Sequence, residues 1–153
     1  MSRDQFITEV LPEFLQQITP VFETSPATYT QGGWEGWVQV ELTKYLYNNY
    51  PKIEVCREFP LYGNSKRVDL FINKSLAVEI KCQSIYNGEK ILEGVEKDCE
   101  KMQSLNGNVE KIVIFFLIDR NSINPVIHGL RGKHIDVRES DSTDWCGTYY
   151  CLI

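Results

Sequence analysis

Asp69, Glu79 and Lys81 are the side chains whose types and spacing suit chemistry in this chain of 153 residues. They fall in two short runs of strand character, Arg67 to Ile72 and Leu76 to Cys82, separated by Asn73-Lys74-Ser75. If those three residues form a hairpin loop, Ile72 faces Leu76, Leu70 faces Val78 and Asp69 faces Glu79. Alternation then places Val68, Leu70, Ile72, Leu76, Val78, Ile80 and Cys82 on one face, and Arg67, Asp69, Glu79, Lys81 and Gln83 on the other. A two-residue turn would mix the two classes, so the three-residue loop is the expected register.

That register sets two carboxylates roughly 4.5–5.5 Å apart at Cβ, where like charges repel. Something must neutralise them: a shared proton, the ammonium of Lys81, or a hard divalent cation held by the acids and completed by water and phosphate oxygens. With a cation in place, Lys81 can stabilise charge on an attacking water or on the phosphate under attack. The competing reading is an ordinary ion-pair ladder on a solvated strand face.

Asp69, nine intervening residues, then Glu79-Ile80-Lys81 on a second strand resembles the core of the PD-(D/E)XK nuclease superfamily. Glu35, in Gly32-Gly33-Trp34-Glu35-Gly36-Trp37 at the start of the preceding helix, stands where that superfamily commonly places a further metal-site glutamate. The resemblance spans about residues 33–118, and Val68 replaces the proline of the family pattern. It implies Mg²⁺ or Mn²⁺ held by Asp69, Glu79, Glu35 and the Ile80 carbonyl, with Lys81 orienting the hydrolytic water or stabilising the pentavalent phosphate. Gln39, one helical turn beyond Glu35, is a candidate supporting partner, and Gln83 and Arg67 are candidate supporting or substrate contacts.

The elements needed to position these residues can be read from periodicity. Ser2 with Gln5 forms a capping-box pattern, and Phe6, Ile7, Val10, Leu11, Phe14, Leu15 and Ile18 recur at helical spacing, so a first helix is expected, bent at Pro12. Thr24 to Gly33 reads as a loop. A second helix should start near Gly33 or Trp34 and stop before Asn48, Asn49 and Pro51. Ile53 to Pro60 is a strand forming a meander with the hairpin, and Gly88 to Leu105 carries the apolar stripe of a surface helix. Ile112 to Ile118 is apolar throughout and suits a central strand covered on both faces. Val126 to His128, His134 to Arg138 and Trp145 to Ile153 read as shorter strands or turns. The expected fold is an α/β or α+β sandwich. Its mixed central sheet is flanked by helices in a restriction-endonuclease-like order of helix, three strands, helix and strand, with an extra N-terminal helix.

Composition agrees with one domain over residues 1–153: 42% hydrophobic and 24% charged residues suffice for a core without staples. The net charge of -5 disfavours a protein that coats DNA indiscriminately. The deficit is concentrated in residues 1–60, with four basic against eight acidic side chains. Arg120, His128, Arg131, Lys133, His134 and Arg138 make the tail locally basic, a candidate phosphate contact. Trp34, Trp37, Tyr45 and Tyr47 are expected in the core rather than as base-stacking platforms. His128, His134, Cys146 and Cys151 lack zinc spacing. Five cysteines without a C-x-x-C pair, and no apolar leader after Met1, point to the cytoplasm, and no run is long enough to span a membrane. The leading expectation is a metal-dependent nuclease, with DNA ahead of RNA as substrate. Its rivals are a catalytically silent binding protein, such as an immunity or antitoxin protein masking a basic toxin through its acidic surface, and a structural subunit of a nucleic-acid complex. A homodimer is open to either class.

Overall fold

The structure, a computed structural model, describes residues 1–22, 34–61, 66–84, 86, 88–142 and 146–153. The expected loop from Thr24 to Gly33, the Gly63-Asn64-Ser65 punctuation and Trp145 lie outside the described residues. The chain is α+β, with six strands in one mixed open sheet of order β1-β2-β3-β4-β6-β5.

Helix α1 (Arg3–Gln5) begins as the capping box requires, Ser2 Oγ accepting the Gln5 N–H at 3.1 Å. A π-helical segment, Phe6–Val10, follows and leads into α2 (Leu11–Phe22), with the Leu11 N–H reaching back to the Phe6 carbonyl. The expected disturbance from Pro12 thus takes the form of a π turn just ahead of it, where the proline ring would crowd the preceding turn. Helix α3 (Glu35–Asn49) runs two residues past the expected stop.

Strands β1 (Val55–Phe59), β2 (Val68–Ile72) and β3 (Leu76–Cys82) form the antiparallel meander. The hairpin adopts the expected register, Ile72 opposite Leu76 and Leu70 opposite Val78. Asn73 and Lys74 both take positive φ, and the Ser75 N–H closes on the Ile72 carbonyl at 3.0 Å. Helix α4 (Ile91–Gln103) crosses to β4 (Glu110–Leu117), which pairs parallel with β3 and antiparallel with β6 (Gly147–Leu152). The β4 strand lies inside the sheet as its composition required. Ile112, Ile114 and Phe116 enter one core while Val113, Phe115 and Leu117 enter the other.

The first core packs α2 and α3 on one face of the sheet, and the second packs α4 and α5 (Arg120–Gly132) on the opposite face. Two expectations are corrected here. Val126 to His128 belong to helix α5, not to a strand, because Val126, Ile127 and Leu130 form a buried helical stripe behind the Asp119 N-cap. Val68 packs with Phe71 and Ala77 in the second core rather than with Leu70 and Ile72, so the face that carries Glu79 is apolar along much of its length. The edge strand β5 (Asp136–Ser142) pairs with β6 and accounts for the His134 to Arg138 segment.

Aromatic packing fixes the start of α3. Trp34 lies 4.8 Å from Phe22 and 5.3 Å from Phe116, centroid to centroid, and its indole N–H donates to the Gln83 carbonyl at 2.8 Å. Each such ring pair contributes about 0.5–1.5 kcal/mol beyond its buried area. Glu35, the next residue, is thereby placed at the C-terminal end of β3. No helix among the described residues is long and apolar enough to cross a membrane.

Candidate functional site

The site forms where one strand outruns its neighbour. The ladder between β2 and β3 stops at Leu70 and Val78, whereas the ladder between β3 and β4 continues to Cys82 and Phe116. The Gln83 N–H points to β4, bonding the Phe116 carbonyl at 2.9 Å, so the alternate residues Ile80 and Cys82 point to the β2 side, where no strand carbonyl meets them. Buried N–H groups need partners. Side-chain carboxylates supply them: Asp69 Oδ2 accepts the Ile80 N–H at 2.7 Å, and the Glu35 carboxylate accepts the Cys82 N–H. Since the N–H and carbonyl of an extended residue share a side, the Ile80 carbonyl lies on this same edge. Carrying the register one step past Leu70 and Val78 sets Asp69 opposite Glu79.

Lys81 joins the two helical layers around that edge. Its Nζ is 3.2 Å from Glu35 Oε2 on α3 and 3.2 Å from Asp98 Oδ2 on α4. Gly94, one turn before Asp98, gives the lysine stem room; a Cβ there would stand 3.3 Å from Lys81 Cδ. One turn after Asp98, Lys101 reaches Glu79, Nζ to Oε1 2.5 Å. Gly94, Asp98 and Lys101 occupy one face of α4 at spacings of four and three. Asp98 and Lys101 escape a reading of the strands alone, and the only signal for them is that helical spacing. Of the three ways to neutralise Asp69 and Glu79 that the sequence left open, Lys81 is not the one used, since Lys101 answers Glu79 while Lys81 answers Glu35 and Asp98.

Four acids and two lysines packed this closely shift one another's protonation. Burial, opposed in part by the Ile80 N–H, pushes Asp69 up to about 6. Burial and then the charge of Asp69 push Glu79 up to about 8, against the pull of Lys101. Glu35 and Asp98 are also raised, chiefly by burial, with Lys81 opposing in both cases. For Lys81 burial acts to lower the value, but the Asp98 and Glu35 carboxylates outweigh it, so the ammonium is held charged.

The other expected site residues are placed as follows. Gln83, 1% exposed, uses its whole amide internally: Nε2 donates to Gly88 O at 3.2 Å and Ser122 Oγ at 2.9 Å, while Oε1 accepts the N–H groups of Ile118 at 2.9 Å and Asp119 at 3.0 Å. Gln39 is buried and accepts from Arg57 Nη2 of β1 at 3.1 Å. Arg67 is exposed just ahead of β2. In the basic tail, Lys133 pairs with Glu96 at 2.7 Å and Arg138 with Asp136 at 2.9 Å. Trp34 and Tyr45 are core residues and Trp37 packs against the core, whereas Tyr47 is exposed. All five cysteines are free thiols, and Cys56 alone is exposed.

A hard cation prefers oxygen ligands, and the carboxylates of Asp69, Glu79 and Glu35 with the Ile80 carbonyl are such a set. Among the described residues no three His, Cys, Asp or Glu side chains converge as a ready cage. Carboxylate and carbonyl oxygens are the type of donor that Mg²⁺ or Mn²⁺ takes, the remaining positions going to water and substrate. Set against family models, curated proteins and solved structures, the chain matches none.

Proposed function

We propose that this chain is a divalent-metal-dependent phosphodiesterase acting on nucleic acid, DNA ahead of RNA, with a restriction-endonuclease-like core made of α3, β1 to β3, α4 and β4. The observation that carries the reading is the lysine among acids at the ragged end of β3: Lys81 Nζ 3.2 Å from carboxylates on both helical layers, beside Asp69 and Glu79 whose protons are held unusually tightly. Asp69, Glu79, Glu35 and the Ile80 carbonyl would hold Mg²⁺ or Mn²⁺, which supplies charge neutralisation and polarises a phosphate oxygen. Lys81 contributes a fixed positive charge next to that position, suited to a non-bridging phosphate oxygen or the attacking water. The six-residue charge cluster sits in a cytoplasmic protein by the sequence reading, where free thiols are stable.

The test is cleavage of single-stranded and duplex DNA and of RNA in Mg²⁺, Mn²⁺ or EDTA. Metal-dependent cleavage lost in Lys81→Met and Asp69→Asn supports the reading; wild-type protein inert on every substrate in every metal refutes it.

One observation favours a second reading. Three of the four acids already have a protein donor: Asp69 the Ile80 N–H, Glu79 Lys101 and Glu35 Lys81, while Asp98 Oδ2 meets Lys81 only as an ion pair at 3.2 Å, without a hydrogen bond. A network so largely satisfied from within suits a nuclease-like protein that binds without cutting and masks a basic partner with the acidic surface of residues 1–60. Binding to such a partner would be unaffected by EDTA.

A further inference from the structure

We infer that Asp98 is a positioning residue for Lys81, holding the ammonium away from full pairing with Glu35 and at the mouth of the cluster. What Lys81 does there rests on the phosphodiesterase reading; that Asp98 holds it does not.

The geometry is a balance across the edge of the sheet. Lys81 leaves β3 on the side covered by α4, and its stem passes over Gly94. Its Nζ then meets Glu35 through both oxygens, at 3.2 and 3.4 Å, and Asp98 through one, at 3.2 Å. An ammonium has three donors directed tetrahedrally. With an acid on each helical layer, the ammonium is suspended between α3 and α4 rather than drawn wholly onto one of them. Without Asp98 the lysine has a single strong partner, Glu35, and collapses onto it. That would remove the lysine from the position a phosphate would occupy, and would tie down a carboxylate proposed as a metal ligand.

The placement of Asp98 is built rather than incidental. It lies four residues after Gly94, so the same helical face that opens space for the stem carries the acid that receives the head. The Asp98 side chain is only 14% exposed, where an ion pair is screened less than on an open surface. Lys101 on the next turn reaches Glu79, while the ammonium nearest Asp98 Oδ2 among the ion pairs described is that of Lys81.

The experiment follows Lys81 by two independent readouts in the full chain. The first is the rate of acylation of Lys81 by an N-hydroxysuccinimide ester, resolved by peptide mass spectrometry, with Lys133 as internal reference because it pairs with Glu96 elsewhere. In Asp98→Asn, which keeps side-chain size, Lys81 labelling should fall several-fold relative to Lys133 as the ammonium withdraws onto Glu35, and Asp98→Glu should restore the wild-type rate. The second is steady-state cleavage in Mn²⁺. Asp98→Asn should lower kcat by about 10²-fold, the scale of a misplaced catalytic group, with KM little changed. On a Lys81→Met background the same substitution should have no further effect, because residues acting through one another are not additive. Unchanged or faster labelling in Asp98→Asn overturns the inference, as does an undiminished kcat in Asp98→Asn when the wild-type enzyme cleaves. Wild-type protein that cleaves nothing, while Asp98→Asn still labels more slowly, sinks the phosphodiesterase reading and leaves the positioning contact standing.

Discussion

The Asp69 carboxylate accepts the Ile80 N–H at 2.7 Å, at the point where β2 no longer offers β3 a carbonyl. A side chain thereby completes a ladder that the backbone abandons. The same act brings a charge to the sheet edge, close enough to Glu79 to raise it. Scaffold and candidate chemistry share one atom, which makes the site open to substitutions that separate the two roles.

Asp69→Asn keeps an oxygen for the Ile80 N–H and removes the charge. In calorimetric titration, Mn²⁺ affinity should fall at least about 10-fold, the scale expected for disturbing a metal site. In EDTA the variant should be as stable as wild type or more so, since a repulsive partner of Glu79 is gone. Equal Mn²⁺ affinity in the two proteins would rule Asp69 out as a ligand.

Metal-free stability should fall as pH rises. Glu79 at about 8 and Asp69 at about 6 lie above their ordinary carboxylate values, so between roughly pH 4 and pH 8 the folded chain binds more protons than the unfolded one. The stabilisation is therefore complete at acidic pH, declines through the neutral range and is exhausted above about pH 8. Urea midpoints measured in EDTA from pH 5 to pH 9 should decline accordingly, and Glu79→Gln should flatten the slope. A midpoint that rises across this range contradicts the protonation proposed for the pair.

Gly94→Ala should separate stability from function. Alanine in a helix interior is favoured over glycine by about 0.8–1.0 kcal/mol, yet the new Cβ would stand 3.3 Å from Lys81 Cδ. The melting temperature should hold or rise while cleavage in Mn²⁺ falls about 10-fold, within the range that small displacements of a catalytic group produce. Full cleavage in a folded Gly94→Ala variant would show that the lysine stem needs no such clearance.

Gln83→Leu should cost about 1–3 kcal/mol in urea unfolding, because the four hydrogen bonds of a buried amide are lost, among them those that satisfy the part-buried N–H groups of Ile118 and Asp119. Mn²⁺ affinity should change little. A large loss of affinity at unchanged stability would move Gln83 from the scaffold into the site.

The hairpin register was legible because Leu70, Ile72, Leu76, Val78, Ile80 and Cys82 alternate onto one face, and a slip by one would turn that set away from its core, although Val68, Phe71 and Ala77 add apolar residues to the other face. The Ile112 to Ile118 strand was legible from its unbroken apolar run. Helix α5 was not, since Asn121, Asn124, Pro125, Gly129 and Gly132 all argue against a helix locally. Tertiary contact overrides them: Gly129 lets α5 approach so closely that a Cβ would stand 2.7 Å from Leu92 Cδ2. Asp98 and Lys101 were hidden for a different reason. In sequence they belong to the alternating charges of a surface helix, and only the parallel crossover from β3 through α4 to β4 turns that face towards Lys81.

Trp34 seals the start of α3 with its indole N–H on the Gln83 carbonyl, one residue from Glu35. The molecule therefore carries its own optical reporter. Of its three tryptophans, this one is wholly enclosed and should emit at the blue end of the indole range. Any ligand that draws Glu35 inwards must tug on that ring, so intensity and wavelength will register occupancy without a label.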